Sequence, residues 1–599
     1  MEIATISAAA LAAGAYLNAK LGISTDLNGL AISREFGGRV GKRIQSLGDT
    51  VTIYRLFELV NEQNEALWFE GRTWTYGELK NEVINFAAFL SINGVSKGDF
   101  IAVFMTNSPE MVITILALSK LSAISALINT NLRDDTLKHC LNVSTAKTIL
   151  TTPDLAPFVK EPLYHFSLSL FSFPHIPTPT DSSITLLTTL PTPSTIPTTA
   201  KATLRDLACL VYTSGTTGKP KACAIRNNHM IIVSVPQSQD VRDPKRYFPL
   251  RMYSPLPLFH GTALFAGLWY SIGSSSTFCL ARKFSSSRFW QDVPESRATR
   301  IMYVGELCRY VLSAPPSPYD RNHQCIVATG NGLRGEIWEK FRERFNVREI
   351  REFYRSTEGV AKFDNFGRGL WGAGKLGFAE EIYRDPRTGF CVKAALGEPG
   401  EAIGRIKDRE LLTEYLGNLS ATEDKLLTDV FVKGDIYHRM GDLLCHQTDG
   451  WVSFHDRLGD TFRWKGENVS AGEVRDHIAR LPGVQDVTVY GVKLASYDGQ
   501  AGATSITLDT AASEEFMRTL FEGLRKTGLP LYAVPRLVRI TKEIESNATF
   551  KKAKGDMVKK TWNENAKGNT DKLYWLNGSK YERLDRPAWA SIEEGRAKL

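Results

Sequence analysis

The stretch Tyr212-Thr-Ser-Gly-Thr-Thr-Gly-Lys-Pro-Lys221 directly follows the apolar run Leu207–Val211. Its ten positions hold three threonines, one serine, two glycines and two lysines. Glycines allow backbone N–H groups to turn toward an anion, the hydroxyls add donors, and the lysines supply positive charge. The stretch therefore predicts a loop that follows a strand and holds the phosphates of a nucleotide such as ATP.

This loop differs from a P-loop. Gly215 and Gly218 are three positions apart, and Lys219 is followed by Pro220 where a P-loop has serine or threonine. A Gly/Thr-rich surface turn is the alternative interpretation, but two lysines and four Ser/Thr hydroxyls in one turn disfavour it. The candidate nucleotide ligands are Tyr212, Thr213, Ser214, Gly215, Thr216, Thr217, Gly218, Lys219 and Lys221.

The motif Thr-Ser-Gly-Thr-Thr-Gly-x-Pro-Lys at positions 213–221 resembles the signature of the adenylate-forming superfamily, which includes acyl-CoA synthetases, adenylation domains and luciferases. Within it, the segments Gly305–Tyr310, Gly330–Arg334 and Asn129–Arg133 resemble the branch of fatty-acid transport proteins and very-long-chain acyl-CoA synthetases. The resemblance covers roughly residues 67–576. It implies an adenylate-forming α/β fold with a large multi-layer N-terminal adenylation domain and a small, mobile C-terminal α/β domain.

Local patterns independently predict alternating helices and strands. Thr75 and Glu78 form a capping-box pattern that opens a helix ending before Gly94. A buried strand is predicted at 100–105, a helix from Pro109, and another strand at 123–128. This alternation is typical of a layered α/β fold.

The domain boundaries are expected at residues 50–457 for the ATP- and acyl-binding domain and at 458–599 for the C-terminal lid. In the lid, residues 474–481 read as a helix and 487–492 as a strand. Residues 151–199 are rich in threonine, proline and serine, which predicts an irregular insertion.

Composition narrows the class of protein. Of 599 residues, 43% are hydrophobic and 23% charged, as in ordinary globular proteins. The net charge of +8 is spread along the chain without an arginine-rich tract, so we expect no nucleic-acid partner. Anionic small molecules or an anionic membrane face are better candidates than nucleic acid for the partner of this positively charged chain. The eight cysteines have no metal-ligand spacing, which indicates reduced, mostly buried thiols in an intracellular protein.

The two ends of the chain carry separate signals. Residues 3–19 are mostly alanine and aliphatic, short of the roughly twenty needed to span a bilayer. A helix packed on the enzyme and a membrane-associating helix within residues 1–25 both remain open. The terminal Ala597-Lys598-Leu599 is a close relative of the Ser-Lys-Leu address, which predicts a peroxisomal protein read by the import receptor.

The segment Tyr354-Arg-Ser-Thr-Glu-Gly359 supplies an aromatic ring to stack on a base, a hydroxyl for a phosphate oxygen and a carboxylate for Mg²⁺. The resemblance implies that Tyr354 contacts adenine, Thr357 the α-phosphate and Glu358 the metal. It also implies that Gly330, Asn331 and Gly332 lie against adenine, where glycine permits close approach of the backbone.

His260 lies in a proline- and glycine-broken apolar run, where it is either a structural hydrogen-bonding residue or, as the resemblance implies, a gate at the acyl entry. The residues that follow are candidates for an acyl-binding wall or for plain core: Leu264, Phe265, Leu268, Trp269 and Tyr270.

Asp442 and Arg457 are suited to binding the two ribose hydroxyls, although a surface ion pair is the alternative. The resemblance places a domain hinge at Gly459 and the catalytic lysine at Lys551. It further implies that the lid rotates about the hinge after adenylation and presents Arg463, Lys465 and Gly466 to the coenzyme A thiol.

These expectations describe an ATP-dependent acyl-CoA ligase that uses Mg²⁺ and coenzyme A to activate a medium- to very-long-chain fatty acid through an acyl-adenylate. Two alternatives remain. The same chemistry could serve another carboxylic acid in secondary metabolism, or the protein could be a membrane-associated carrier for fatty-acid uptake.

Overall fold

A computed structural model describes residues 23–163, 169–172, 185–186, 195–213, 219–333, 335–359, 363–364, 373–374, 383–447, 452–464, 467–497, 499–509, 514–544, 557–558, 560–562 and 569–599. The predicted apolar segment at 3–19 lies outside these residues. Within them, no helix has the length and apolar character that crossing a membrane requires.

The helices are numbered here in chain order. The α-helices are α1 (Ile23–Leu47), α2 (Ile53–Glu58), α3 (Tyr76–Ile92), α4 (Pro109–Lys120), α5 (Asp134–Ser144), α6 (Ala156–Leu163), α7 (Asn227–Ser234), α8 (Ser238–Arg242), α9 (Pro244–Tyr247), α10 (Tyr270–Gly273), α11 (Phe289–Glu295), α12 (Gly305–Ser313), α13 (Gly335–Phe345), α14 (Leu419–Glu423), α15 (Ala471–Ala479), α16 (Glu514–Lys526) and α17 (Arg586–Glu593). A π-helix spans Thr262–Trp269, and 3₁₀ turns span Arg409–Leu411, Leu458–Asp460 and Leu531–Ala533.

The strands are numbered in the same way. They are β1 (Glu65–Phe69), β2 (Arg72–Thr75), β3 (Phe100–Phe104), β4 (Ile124–Leu127), β5 (Thr148–Thr151), β6 (Ser169–Ser172), β7 (Thr185–Leu186), β8 (Leu207–Thr213), β9 (Lys221–Arg226), β10 (Arg251–Ser254), β11 (Thr277–Leu280), β12 (Arg300–Val304), β13 (Val327–Asn331), β14 (Glu349–Tyr354), β15 (Phe363–Asp364), β16 (Ala373–Gly374), β17 (Pro399–Arg405), β18 (Glu414–Tyr415), β19 (Leu426–Thr428), β20 (Ile436–His446), β21 (Val452–Arg457), β22 (Thr461–Trp464), β23 (Glu467–Ser470), β24 (Val484–Val492), β25 (Ala501–Leu508), β26 (Leu537–Ile540), β27 (Lys572–Asn577) and β28 (Lys580–Arg583).

The chain divides into two compact units. The large unit comprises Met1–Leu370 and Arg405–Leu426, and the small unit comprises Trp371–Gly404 and Leu427–Leu599. This division groups strand β20 with the small unit, whereas the sequence places the boundary at 457/458; that boundary stays a prediction.

The described part of the large unit contains two eight-stranded sheets. Their strand orders are β15-β14-β13-β12-β10-β11-β1-β2 and β18-β9-β8-β4-β3-β5-β6-β7. In the first sheet the four pairs β11–β10, β10–β12, β12–β13 and β13–β14 are all parallel. Helices connect these strands, as parallel pairing requires. The predicted layered α/β fold is confirmed.

The described strands of the small unit form a sheet of order β16-β17-β20-β19 with β21 on β20, a β22–β23 ribbon, and a five-stranded sheet of order β24-β25-β26-β27-β28. Its core is apolar and includes Trp464, Val474 and Leu537. The helix predicted at 474–481 is present as α15, and the strand predicted at 487–492 is the end of β24.

Local signals proved reliable in the large unit. Thr75 and Glu78 form the predicted reciprocal capping box of α3, and Gly94 beyond its end has a φ of +86°. Pro109 occupies the first turn of α4 behind the N-cap Ser108. The Thr/Pro-rich segment 151–199 lies partly outside the described residues, but it is not wholly irregular, because α6, β6 and β7 occur in it and extend the second sheet.

A buried carboxylate links the first sheet to helices α8 and α10. Asp240 on α8 is fully buried and accepts from Arg300 of β12 at 3.0 and 3.1 Å and from Arg351 of β14 at 2.6 Å. The Tyr270 hydroxyl also donates to it. Burial by itself raises the pKa of the Asp240 carboxyl, but the guanidinium of Arg300, followed by that of Arg351, outweighs burial and lowers that pKa.

We expect Asp240→Asn to reduce the free energy of unfolding by about 3–5 kcal/mol, because it leaves the buried guanidinium of Arg300 without its counter-charge and that of Arg351 with Glu349 alone. The pKa of Asp240 is lower in the folded than in the unfolded protein. Its stabilisation is therefore complete above about pH 4 and is lost as the pH falls through the folded-state value. Urea denaturation at several pH values should show a smaller acid-induced loss for the variant.

The exposed ion pair between Arg205 and Glu410 provides the control. Glu410→Gln should change the free energy of unfolding by less than about 1 kcal/mol. A loss of the same small size in Asp240→Asn would contradict a central role for the buried carboxylate.

Candidate nucleotide and acyl site

The predicted phosphate loop connects two paired strands. Strand β8 ends at Thr213, strand β9 begins at Lys221, and these two residues face each other in an antiparallel register. Ser214, Gly215, Thr216, Thr217 and Gly218 lie outside the described residues, and Lys219 is exposed.

Helix α5 holds both sides of this loop. The Tyr212 hydroxyl donates to the Cys140 carbonyl at 2.8 Å, and His139 Nε2 lies 3.0 Å from the Pro220 carbonyl. Tyr212 is therefore committed through its hydroxyl to α5. In this geometry Tyr212 supports the loop, and its predicted contact with a nucleotide stays a prediction.

The strand that follows the loop is linked to the Thr357–Glu358 segment. Tyr415 of β18 pairs with Cys223 of β9, and its hydroxyl donates to Glu358 Oε1 at 3.0 Å. The Lys221 ammonium lies 5.0 Å from the centre of the Tyr415 ring. Burial, followed by the charge of Glu358, raises the pKa of Tyr415, so the hydroxyl stays a donor. Two motifs more than a hundred residues apart in sequence are thus brought together.

Thr357 and Glu358 lie three and four residues beyond Tyr354, the last residue of strand β14. The turn is fixed by a hydrogen bond of 2.9 Å from the Gly359 amide to the Ser356 hydroxyl. Both Thr357 and Glu358 are partly exposed. A hydroxyl and a carboxylate are hard oxygen ligands, so this segment has the donors that Mg²⁺ takes together with substrate phosphates. Among the described residues no group of three or more His, Cys, Asp or Glu side chains could hold a metal.

Gly330, Asn331 and Gly332 lie at the end of the neighbouring strand. Gly330 and Asn331 close β13, and Gly332 follows with a φ of +75°, which favours glycine. The Gly332 and Leu333 amides donate to the carboxylate of Glu352 on β14. Tyr354 and this glycine segment thus end two adjacent parallel strands, at the edge where α/β sheets bind ligands.

His260 precedes the π-helix Thr262–Trp269. Its Nδ1 accepts from the Thr262 amide at 3.3 Å, and its side chain is partly exposed. π-Helical turns are rare in proteins, and those that occur are often found at functional sites. The suggested acyl-wall residues are buried, with exposed fractions of at most 9% for Leu264, Phe265, Leu268, Trp269 and Tyr270. Tyr270 belongs to the core, because its hydroxyl binds Asp240.

The ribose candidates lie in the small unit. Asp442 of β20 and Arg457 of β21 are directly opposite in register, with Arg457 Nε 3.4 Å from Asp442 Oδ1. The fully buried Glu401 supports this position, since it binds Arg439 at 2.9 Å and accepts from the Gly441 amide at 3.3 Å. The Asp442 carboxylate therefore projects from a fixed strand.

The remaining predicted residues are only partly described. Arg463 on β22 is exposed, and its carbonyl accepts from the Gln500 amide at 2.6 Å. Lys465, Gly466 and Lys551 lie outside the described residues. Gly459 falls in the 3₁₀ turn Leu458–Asp460, and its role as a hinge stays a prediction.

All eight cysteines are buried free thiols, as the sequence predicts. Burial raises the pKa of Cys140, Cys279 and Cys325 to about 12. Thiols that remain protonated are poor nucleophiles, so none of these three is suited to covalent catalysis.

Sequence reasoning missed three residues that organise this region: Tyr303, Glu352 and Tyr415. Each sits inside a strand whose pattern indicates only an ordinary α/β element. Glu352 carried a weak signal, since an acidic residue within a strand needs a partner when it is buried.

Comparison with known proteins agrees with this geometry. The model of the AMP-binding enzyme family matches residues 59–390. The chain is 36% identical to long-chain fatty acid transport protein 2 of Rattus norvegicus, with 85% of each chain covered. It is 32% identical to isopenicillin N epimerase component 1 of Hapsidospora chrysogena (92% of this chain, 89% of that protein) and 34% identical to the medium/long-chain-fatty-acid–CoA ligase FadD6 of Mycobacterium tuberculosis (86% and 85%).

The fold is similar to the solved structure of the anthranilate CoA ligase AuaEII in complex with anthranoyl-AMP. The TM-score is 0.71 at 18% identity, covering 86% of this chain and 98% of that chain. The chain therefore belongs to the AMP-binding enzyme family, in the branch of fatty acid transport proteins and fatty-acid–CoA ligases.

Proposed function

We propose that this protein is an AMP-forming ligase that joins a medium- to very-long-chain fatty acid to coenzyme A at the expense of ATP. The observation that carries the proposal is the Tyr415 hydrogen bond, which brings the Thr357–Glu358 segment to the strand leaving the phosphate loop. A phosphate-binding loop and an acidic residue for the phosphate-bound cation are what adenylation requires.

The chemistry explains why a nucleotide is needed. An ionised carboxylate is a poor electrophile, so its oxygen first attacks the α-phosphorus of ATP and pyrophosphate leaves. The thiol of coenzyme A then attacks the acyl-adenylate, forming the thioester and releasing AMP. Most of the protein's task is positioning and neutralisation of charge.

Each candidate residue has a proposed role in this two-step reaction. Lys219 and Lys221 hold the outgoing pyrophosphate, Thr357 donates to the α-phosphate, and Lys551 neutralises the charge that builds between the carboxylate and the α-phosphate. Tyr354 and Gly330–Gly332 receive adenine, and Asp442 with Arg457 binds the ribose hydroxyls.

Mg²⁺ would be held by Glu358 together with the phosphates of ATP, and it would neutralise their charge. The carboxylate and hydroxyl donors of this segment fit such an ion. Arg463, Lys465 and Gly466 are proposed to serve the second half-reaction, in which coenzyme A enters.

The identity of the acid has two candidates. The fatty-acid–CoA ligase among the relatives favours a fatty acid. The match to isopenicillin N epimerase component 1 favours a specialised acid of secondary metabolism as the second candidate. A carrier function at a membrane surface would need none of the catalytic residues, so the presence of all these residue types favours a ligase.

We expect the purified protein with MgATP and coenzyme A to convert fatty acids to thioesters with release of AMP and pyrophosphate. A panel of fatty, aromatic and peptide-side-chain acids, followed by mass spectrometry, distinguishes the two candidates. Lys551→Ala should abolish adenylate formation and leave ATP binding intact, because the lysine acts on charge that develops during the reaction.

The adjacent Lys552→Ala serves as the control and should retain activity. Release of ADP in place of AMP would contradict the proposed reaction. Equal losses in both lysine variants would contradict the specific role of Lys551.

We expect Tyr415→Phe to raise the Mg²⁺ concentration for half-maximal activity about tenfold, because Glu358 loses the donor that orients it. Binding of Mn²⁺ in the presence of ATP, followed by electron paramagnetic resonance, should weaken in parallel. Tyr76→Phe removes another buried hydroxyl, which donates to the Ser276 carbonyl, and should leave the metal dependence unchanged. An unaltered Mn²⁺ affinity in Tyr415→Phe would contradict this role.

We also propose that Ala597-Lys598-Leu599 directs the protein to the peroxisome. In the small unit Leu599 is buried, and the Tyr497 hydroxyl donates to the Ala597 carbonyl at 2.6 Å. An import receptor must therefore displace these contacts before it can read the tripeptide.

Deletion of Leu599 should move a fluorescent fusion from peroxisomes to the cytosol. Tyr497→Phe should increase binding to the purified receptor a few-fold, because it removes one contact that competes with the receptor. Peroxisomal location of the deletion variant would contradict the proposed address.

A further inference from the structure

Tyr303, Gly330 and Glu352 lie side by side on the parallel strands β12, β13 and β14. Residues in register on neighbouring strands point to the same face of a sheet, and adjacent strands are about 4.8 Å apart. A side chain at the middle position would separate the outer two. Because that position is glycine, the Tyr303 hydroxyl passes over β13 and donates to Glu352 Oε1 at 2.5 Å.

Gly330 has no room for a side chain. A Cβ atom at this position would lie 2.2 Å from the Tyr303 carbonyl oxygen and 2.7 Å from the Tyr303 ring. Both distances are far below van der Waals contact. The Tyr303 ring thus occupies the space above Gly330, and the hydrogen bond across the row depends on that glycine.

The Glu352 carboxylate also binds the backbone beyond the end of β13. Its Oε2 accepts from the Gly332 amide at 3.0 Å, and Oε1 accepts from the Leu333 amide at 3.1 Å. Three donors therefore converge on one carboxylate. The start of α12 closes the other side, since a Cβ atom on Gly305 would lie 1.7 Å from the Gly332 carbonyl oxygen.

Burial of this cluster affects the pKa values of both Tyr303 and Glu352. Tyr303 is fully buried, and burial raises its pKa, so it remains a donor. Burial also raises the pKa of the Glu352 carboxyl, and the hydrogen bonds from Tyr303, Leu333 and Gly332 act in the opposite direction. Loss of the Glu352 carboxylate would leave the buried Tyr303 hydroxyl without its acceptor.

We propose that Glu352 is a positioning residue for nucleotide binding. It fixes the amides of Gly332 and Leu333 and thereby shapes Gly330–Gly332 to receive adenine, with Tyr303 as its support. The inference rests on the proposed function in assigning adenine to this segment. It also gives Gly305 a structural role, since the start of α12 packs against the backbone of Gly332.

The test uses Glu352→Gln and the milder Tyr303→Phe in the full-length protein. Titration calorimetry measures binding of AMP and, separately, of inorganic pyrophosphate. For Glu352→Gln we expect the Kd for AMP to rise about tenfold, because an amide accepts these backbone hydrogen bonds less well than a carboxylate. The Kd for pyrophosphate should stay at the wild-type value. Tyr303→Phe should show a change in the same direction, about threefold.

Two further readouts separate positioning from general damage. Hydrogen exchange at the Gly332 and Leu333 amides should accelerate about tenfold in Glu352→Gln. In the overall reaction the KM for ATP should rise, and the KM for the acid should not change. Tyr253→Phe is the matched control, because Tyr253 is a buried tyrosine of the same sheet whose hydroxyl donates to Asp292 at 2.9 Å. It should leave AMP binding unchanged.

The proposal is overturned if Glu352→Gln binds AMP with wild-type affinity, or if pyrophosphate binding weakens as much as AMP binding. It is also overturned if Tyr253→Phe weakens AMP binding as strongly as Tyr303→Phe does. The binding measurements contain neither acid nor coenzyme A. They therefore remain decisive if the enzyme activates a different class of acid from the one proposed.

Discussion

The buried carboxylate of Asp240 is the constraint on which the first sheet, where we propose that the nucleotide binds, depends. It accepts hydrogen bonds from both Arg300 and Arg351, which lie on the two strands flanking β13. Consecutive residues of a strand point to opposite faces, so Arg351 faces Asp240 and Glu352 faces Tyr303. One carboxylate on each face thus holds strands β12 to β14. These contacts hold the two strands on either side of β13, which ends in the glycine segment.

The residues that would touch ATP come from local motifs, whereas the residues that hold those motifs come from distant parts of the chain. His139 on α5 reaches the Pro220 carbonyl behind the phosphate loop, and Tyr415 reaches Glu358. In the small unit Glu401 plays the same part for the strand that carries Asp442. Preorganised groups of this kind need no rearrangement when charge develops, which is where an enzyme of this chemistry gains most.

The sequence predicted the fold well wherever a signal was local. The capping box at Thr75 and the strand before the phosphate loop are present in the structure, because short-range backbone hydrogen bonds and hydrophobic runs determine them. The contacts of Glu352 and Tyr415 could not be predicted, because they depend on which strands pair and in which register. The sequence also could not predict that Tyr212 would bind α5, since a tyrosine beside a phosphate loop suits either role.

The burial of every cysteine has a practical consequence. A buried thiol reacts with an alkylating reagent only after the surrounding structure opens, so the rate of labelling measures the opening of each region. Labelling of Cys308 would report the opening of helix α12, which lies beside the glycine segment. Labelling of Cys445 would report the opening of β20, the strand that carries Asp442. The native protein therefore contains its own reporters of local unfolding, one in each of its two units.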